Sequence, residues 1–299
     1  VYEDWSLIMK VIVPANNKGG VGKTKLSILL SEYISVVLGK KVLAIDFDPQ
    51  CNFSQRFLSM EIDPATPGGK IPPIYPEYEP EEFEGIGPEG RSSIADIFFG
   101  GLVYPYETYI ENLDMTPAHA DRLLEAESVR RSEVIDKVHK QLGLFLEMPD
   151  LQEMYDVVII DTAPSKGPLT ISAIKAATHM VIPSIMEEQP IQGVYGMLQL
   201  WKQEALSRDP SRPLELVGVL PNMFRPINLH RDMLRSLRET EFVKQYIMPV
   251  SLGSRASFSE VDAEGAKPES IFDLPDSNKA KDEAIAVCKY IAQNVFGGN

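Results

Sequence analysis

The run Lys18-Gly19-Gly20-Val21-Gly22-Lys23-Thr24 sets three glycines within four positions, just ahead of a lysine and a hydroxyl. Glycines at this density let successive backbone N–H groups turn into one concavity, a nest for phosphate oxygens. Val11-Ile12-Val13 precedes the run as a short β-branched strand. Leu26 to Leu38 follows it, rich in Leu and Ile and stopped by Gly39 as a helix C-cap would be. Strand, glycine loop and helix N-terminus together make an anion site. Lys23 is placed to reach β- and γ-phosphates, and Thr24 to ligate Mg²⁺. The strict G-x-x-x-x-G-K-T pattern fails at its first glycine, where this chain has Asn17.

Two further apolar runs end in acids. Lys41-Val42-Leu43-Ala44-Ile45 leads into Asp46-Phe47-Asp48-Pro49-Gln50, and Val157-Val158-Ile159-Ile160 into Asp161-Thr162-Ala163-Pro164. Carboxylates at the C-terminal ends of parallel strands sit where an α/β sheet binds its ligand. The second run matches a Walker B strand, whose aspartate holds Mg²⁺.

With these three motifs in this order, from about Val11 to Phe296, the chain resembles the deviant Walker ATPases of the ParA/MinD group. It is most similar to ParA-type DNA partition proteins. The resemblance implies ATP and Mg²⁺ as cofactors and a nucleotide site made of Lys18, Gly19, Gly20, Val21, Gly22, Lys23, Thr24 and Lys25. It implies that Lys18 crosses a dimer interface to the partner's nucleotide and that Asp48 positions the attacking water. Asp46 would support the metal site formed by Thr24 and Asp161, and Asn222 would contact adenine. Lys18, Lys23 and Asp48 would be the catalytic residues. The chain departs from the family at Lys25, where a second hydroxyl is common, and at Cys51, where glycine is common. It departs again at Lys166, which reads either as a second basic group near the nucleotide or partner, or as a solvent-facing lysine.

Composition narrows the classes. The chain has 299 residues, 44% of them hydrophobic. That suffices for one α/β domain spanning 1–299, with two domains as the alternative. No apolar run reaches the ~18 residues that span a bilayer. Residues 1–8 read as a tag remnant or disordered N-terminus, with Met9 a natural start. The P-loop begins so early that no N-terminal helix-turn-helix is expected. The two cysteines, Cys51 and Cys288, lack cluster-binding spacing, which argues against the nitrogenase iron-protein branch. They also suit a reducing cytoplasm. His119, His139, His179 and His230 read as polar or surface residues.

The net charge is −14. Residues 61–90 hold eight acids against one base, a net −7, with seven prolines and five glycines. They read as an extended or mobile insertion. Strands alternating with helices elsewhere predict a mainly parallel sheet with helices on both faces. The expected helices cover 93–99, 121–146, 194–206, 227–242 and 280–296, and further strands lie at 112–118, 180–183, 216–220 and 246–250.

Between 227 and 242 the spacing puts Leu229, Met233, Leu234 and Leu237 on one helix side and Arg231, Arg235 and Arg238 on the other. Residues 202–244 carry eight bases and six acids, a local +2. Three arginines on one face suit non-specific contact with DNA phosphates, with Lys244 and Arg255 as further candidates. The C-terminal helix has an apolar stripe but few basic residues, so stable membrane binding is not expected. The sequence thus reads as a cytoplasmic, nucleoid-associated ATPase that dimerises with ATP. It would bind DNA non-specifically and segregate plasmid or chromosomal DNA with a ParB-like centromere-binding adaptor. The alternatives are positioning of another cargo, such as a carboxysome or polar cluster, a MinD-type membrane-associated regulator, and a P-loop metabolic enzyme related to dethiobiotin synthetase.

Overall fold

Alternation along the central strands sorts the core into two layers. In the strand Val157–Thr162, Val158 and Ile160 join one buried cluster while Val157 and Ile159 join the other. Such strands must be covered on both faces. The computed structural model describes residues 9–297 except 77, 84 and 264. The reading of residues 1–8 lies outside them.

In chain order the elements are β1 (Lys10–Pro14), α1 (Lys23–Glu32), β2 (Val42–Phe47), α2 (Asn52–Phe57), β3 (Glu61–Ile62) and β4 (Lys70–Ile71). Next come β5 (Tyr106–Glu107), β6 (Leu113–Thr116), α3 (Ala120–Glu127), α4 (Ser132–Leu146), α5 (Pro149–Met154), β7 (Val157–Thr162) and α6 (Pro168–Ala176). The last are β8 (His179–Ser184), α7 (Glu188–Ser207), β9 (Glu215–Pro221), α8 (Asn228–Glu239), α9 (Ser257–Glu260) and α10 (Lys279–Phe296). The main sheet runs β5-β6-β2-β7-β1-β8-β9. Its pairings are parallel except that of β5 with β6. The expected fold class is therefore observed.

One layer packs α3, α4, α6 and α7 on the sheet through Leu123, Leu142, Ile174 and Met197. The other packs α1, α2 and α10 through Leu29, Phe53, Val287 and Ile291. Each such side chain contributes about 1.5–3 kcal/mol when fully buried. The stripe of α10 is thus spent on the core. Among the described residues no helix is long and apolar enough to cross a membrane.

Several expectations are corrected. The helix expected over 121–146 is two helices, broken between Glu127 and Ser132. The segment 246–250 forms no strand. Only Ile247 bridges to Val219, and Pro249 has no N–H to extend a ladder. The acidic insertion packs in its described part. The Tyr75 ring lies 5.1 Å from Phe83 and 5.0 Å from Tyr106, and Arg91 pairs with Glu61 at 2.8 Å. His179 and His230 are buried, not surface residues. In α8, His230 takes the inward position expected of Leu229, which is exposed.

His179 opens β8, with Nδ1 2.8 Å from Thr178 Oγ1. Burial, then the nearby Lys10 charge, push its pKa down from 6.5 to about 4. The unfolded chain therefore takes up this proton first. The associated stability is complete above pH ~6.5 and is lost as the pH falls toward ~4. His179→Gln should flatten the acid loss of stability in that window by about 1–3 kcal/mol. Urea unfolding at pH 7 and pH 4.5 tests this, and an equal loss in both proteins would refute it.

Candidate active site

β1, β2 and β7 deliver their C-terminal ends to one place. Asp46 and Asp161 are register partners on neighbouring strands, so they face the same side of the sheet. Both side chains are fully buried. Thr24 Oγ1 donates to Asp161 Oδ2 at 2.7 Å and Ser27 Oγ to Oδ1 at 3.1 Å. The N–H and hydroxyl of Ser54 donate to Asp46 Oδ2 at 2.8 and 2.7 Å, and the Asp48 N–H to Oδ1 at 3.0 Å. Burial pushes both carboxyls above the ordinary range. The Asp161 charge raises Asp46 further, and Asp48 raises Asp161.

The glycine loop closes over this acidic floor. Gly20 and Gly22 adopt φ of 71° and 83°, the left-handed region that glycine tolerates without strain. Gly22 is the N-cap of α1. A Cβ there would lie 2.3 Å from Asn222 Nδ2. Gly20 faces open space, with nothing within 4 Å of such a Cβ. Lys23 is buried, and its ammonium donates to Lys18 O at 3.3 Å. Burial lowers its pKa, opposed by Asp161 and then Asp48. Asp48 is 9% exposed and accepts from the Gln50 N–H at 2.9 Å. Burial raises its pKa against that bond and the Lys23 charge.

Cys51 sits at φ 57°, which explains why glycine would serve at this turn. Burial pushes its thiol well up, so it is not a thiolate nucleophile.

The donor set fits a magnesium ion. It offers a hydroxyl and carboxylates on one buried face with Lys23 as the neighbouring cation. Among the described residues no three acidic, histidine or cysteine side chains form a complete metal cage. An ion that keeps water and phosphate ligands needs none.

The structure brings Gly19 to Thr24, Asp46, Asp48 and Asp161 together. It does not bring Lys25 to the loop: its ammonium donates to Phe258 O at 2.9 Å and to the Asp262 carboxylate. The Lys25 ammonium, placed by the resemblance in the nucleotide site, is thus engaged by another segment. Asn222 reaches the loop from the end of β9, donating to Val21 O at 2.8 Å, while its Oδ1 accepts from the Met223 N–H. Its amide is thus engaged with backbone on both sides. Ser27 and Ser54, which hold the two buried acids, were missed. A serine one turn after Thr24 and another eight residues after Asp46 were the available signals.

Arg231, Arg235 and Arg238 are all exposed on α8 and share a cleft of about 330 Å³ with Phe224 and Leu234. Arg235 pairs with Asp232 at 3.4 Å, Lys244 with Glu241, and Arg255 with Glu283 at 2.6 Å.

The family model for an AAA domain matches residues 9–208. The chain belongs to this family, as a ParA/MinD-type Walker ATPase most similar to the ParA partition ATPases. It is 29% identical over 217 residues to the chromosome-partitioning ATPase Soj of Thermus thermophilus, covering 71% of this chain and 69% of that protein. It is 28% identical over 267 residues to the sporulation initiation inhibitor protein Soj of Bacillus subtilis, covering 88% and 91%. The fold matches that of a Cyanothece McdA–ATP complex with a TM-score of 0.70 at 20% identity, over 95% of this chain and 96% of the other.

Lys23→Ala should weaken binding of ATP with Mg²⁺ at least about ten- to a hundred-fold, because a charge-assisted contact is lost. Thr24→Ala should weaken it only when Mg²⁺ is present. Calorimetry with and without Mg²⁺, beside a thermal melt, checks both. Wild-type affinity in folded Lys23→Ala contradicts the loop assignment.

Proposed function

We propose that this chain is a single-domain, ParA-type ATPase that dimerises on binding ATP with Mg²⁺, holds DNA without reading its sequence, and releases it after hydrolysis. The observation that supports this most directly is the convergence of an open glycine nest, buried Lys23 and two buried carboxylates beside Lys18. Among the described residues the Lys18 ammonium has no hydrogen-bond or acidic partner. A lysine just outside the nest, whose ammonium has no polar partner among the described residues, is available to a second nucleotide.

In this reading the loop N–H groups and Lys23 bind the phosphates. Thr24 and Asp161 hold the magnesium ion with Asp46 behind them, and the ion neutralises phosphate charge. Asp48, oriented by the Gln50 N–H, accepts a hydrogen bond from water and aligns it for attack. Lys18 of each subunit completes the other's charge stabilisation. Asn222 couples the end of β9 to the loop beside the adenine. Turnover is weak until a ParB-like centromere-binding adaptor stimulates it. The protein works in the cytoplasm on the nucleoid, where the cargo is plasmid or chromosomal DNA. A membrane-bound reading is not adopted, because the apolar stripe of α10 lies in the core.

DNA contact falls to the α8 face. Arg231 and Arg238 have no acidic partner within ion-pair distance among the described residues. Lys244 and Arg255 are secondary, since each is already paired. A protein of net charge −14 is repelled from DNA at long range, so one small patch is weak. Two patches on one dimer act together, which makes binding depend on ATP.

Asp48→Ala should bind ATP yet stop turning it over, and should accumulate as a dimer. Lys18→Ala should bind ATP and stay monomeric. Light scattering with ATP separates them, and a monomeric Asp48→Ala or a dimeric Lys18→Ala defeats the assigned roles. Replacing Arg231, Arg235 and Arg238 together with alanine should abolish DNA binding while ATP-driven dimerisation persists. Wild-type affinity for DNA across several salt concentrations in that variant places the DNA site elsewhere.

A further inference from the structure

Gly193 and Gly196 lie one turn apart on α7, about 4.5 Å along its axis. A lysine from another element fills the space over each. A Cβ on Gly193 would lie 2.8 Å from Lys18 Cγ, and one on Gly196 would lie 2.8 Å from Lys166 Nζ. Lys166 comes from the loop after β7, and its ammonium meets Gly196 O at 3.5 Å. Two cationic side chains from different loops thus lie along one face of one helix, beside the glycine nest.

The loop bearing Lys166 is anchored. The Glu127 carboxylate accepts from Ser165 Oγ at 2.8 Å and from the Leu169 N–H at 3.0 Å. Any side chain at Gly167 would overlap Glu127. Glu127 is therefore occupied in fixing the loop, and among the described residues neither Lys18 nor Lys166 has an acidic partner. Two like charges on one helix face, with no acid paired to either, favour the approach of an anion. The arrangement gains only when an anion approaches that face. Ammonium groups give strong, charge-assisted hydrogen bonds to phosphate oxygens.

The geometry points to Lys166 as a second lysine acting in trans: with Lys18 it meets the triphosphate held by a second copy of this chain. This rests on the dimer reading above. Lys166 is a positioning residue for assembly of the two sites, and the bare notch of α7 is what lets both side chains lie against the helix.

The test uses the whole chain, Mg²⁺ and the non-hydrolysable analogue AMPPNP, with self-association followed by sedimentation and nucleotide affinity by calorimetry at low protein concentration. Lys166→Ala should bind the analogue as wild type does. Its self-association should weaken about ten- to a hundred-fold, with a shallower dependence on salt. Lys166→Arg, which keeps the charge, should recover both. If Lys166→Ala associates like wild type while Lys18→Ala does not, Lys166 is a solvated surface lysine and the inference fails alone. If Lys18→Ala also associates like wild type, or if wild type does not associate, the dimer reading fails and takes this inference with it.

Discussion

Two carboxylates buried side by side are the constraint on which the rest of the site depends. Asp46 and Asp161 occupy partnered positions on β2 and β7 with no exposure to water. Burying charge in this way is costly unless each lone pair finds a donor. The surrounding elements supply those donors. α1 brings Thr24 and Ser27 to Asp161, and α2 brings Ser54 to Asp46. Lys23 adds the nearby positive charge. The position of α1 is thus set at its N-terminus by polar contacts and along its length by Leu26, Leu29 and Leu30. The same positioning aims the open N-terminus of α1 and its glycine nest over the acids. A cation entering between phosphate and carboxylates would offset the burial, and the lesser repulsion from neighbouring acids, that make both carboxyls hard to ionise.

Most of this frame was legible because its signals are local. A glycine run, a β-branched strand and a terminal acid each occupy a few adjacent residues. The strands at 11–13, 41–45 and 157–160 and the loop at 18–24 all stand where their patterns put them. What could not be read depends on contacts distant in sequence. Lys25 finds its acceptor more than two hundred residues away, at Phe258 and Asp262. The insertion looked unstructured because acids and prolines dominate its average, yet Tyr75 and Phe83 stack on Tyr104 and Tyr106 beyond it. Likewise His230 looked polar. Its place inward on α8 follows from Nδ1 accepting the Arg225 N–H at 3.2 Å, which gives the ring a buried partner.

One helix joins the two surfaces on which the proposed function depends. At its start, Glu187 lies 3.0 Å from Arg225 and 3.4 Å from His230, which fixes the beginning of the arginine helix. Six and nine residues on, Gly193 and Gly196 receive Lys18 and Lys166. Beside them on α7, Val194, Met197 and Leu198 are buried in the sheet-facing core, so α7 cannot turn without disturbing that packing. Through Glu187 and its glycine face, α7 thus touches both the start of the arginine helix and the lysines beside the nest. In a dimer closed by those lysines, the two arginine faces would be held at a fixed separation. A fixed separation lets two weak, salt-sensitive patches bind a continuous duplex as one unit. In the proposed function, an acidic chain would in this way hold DNA when closed and let it go when the nucleotide contacts are lost.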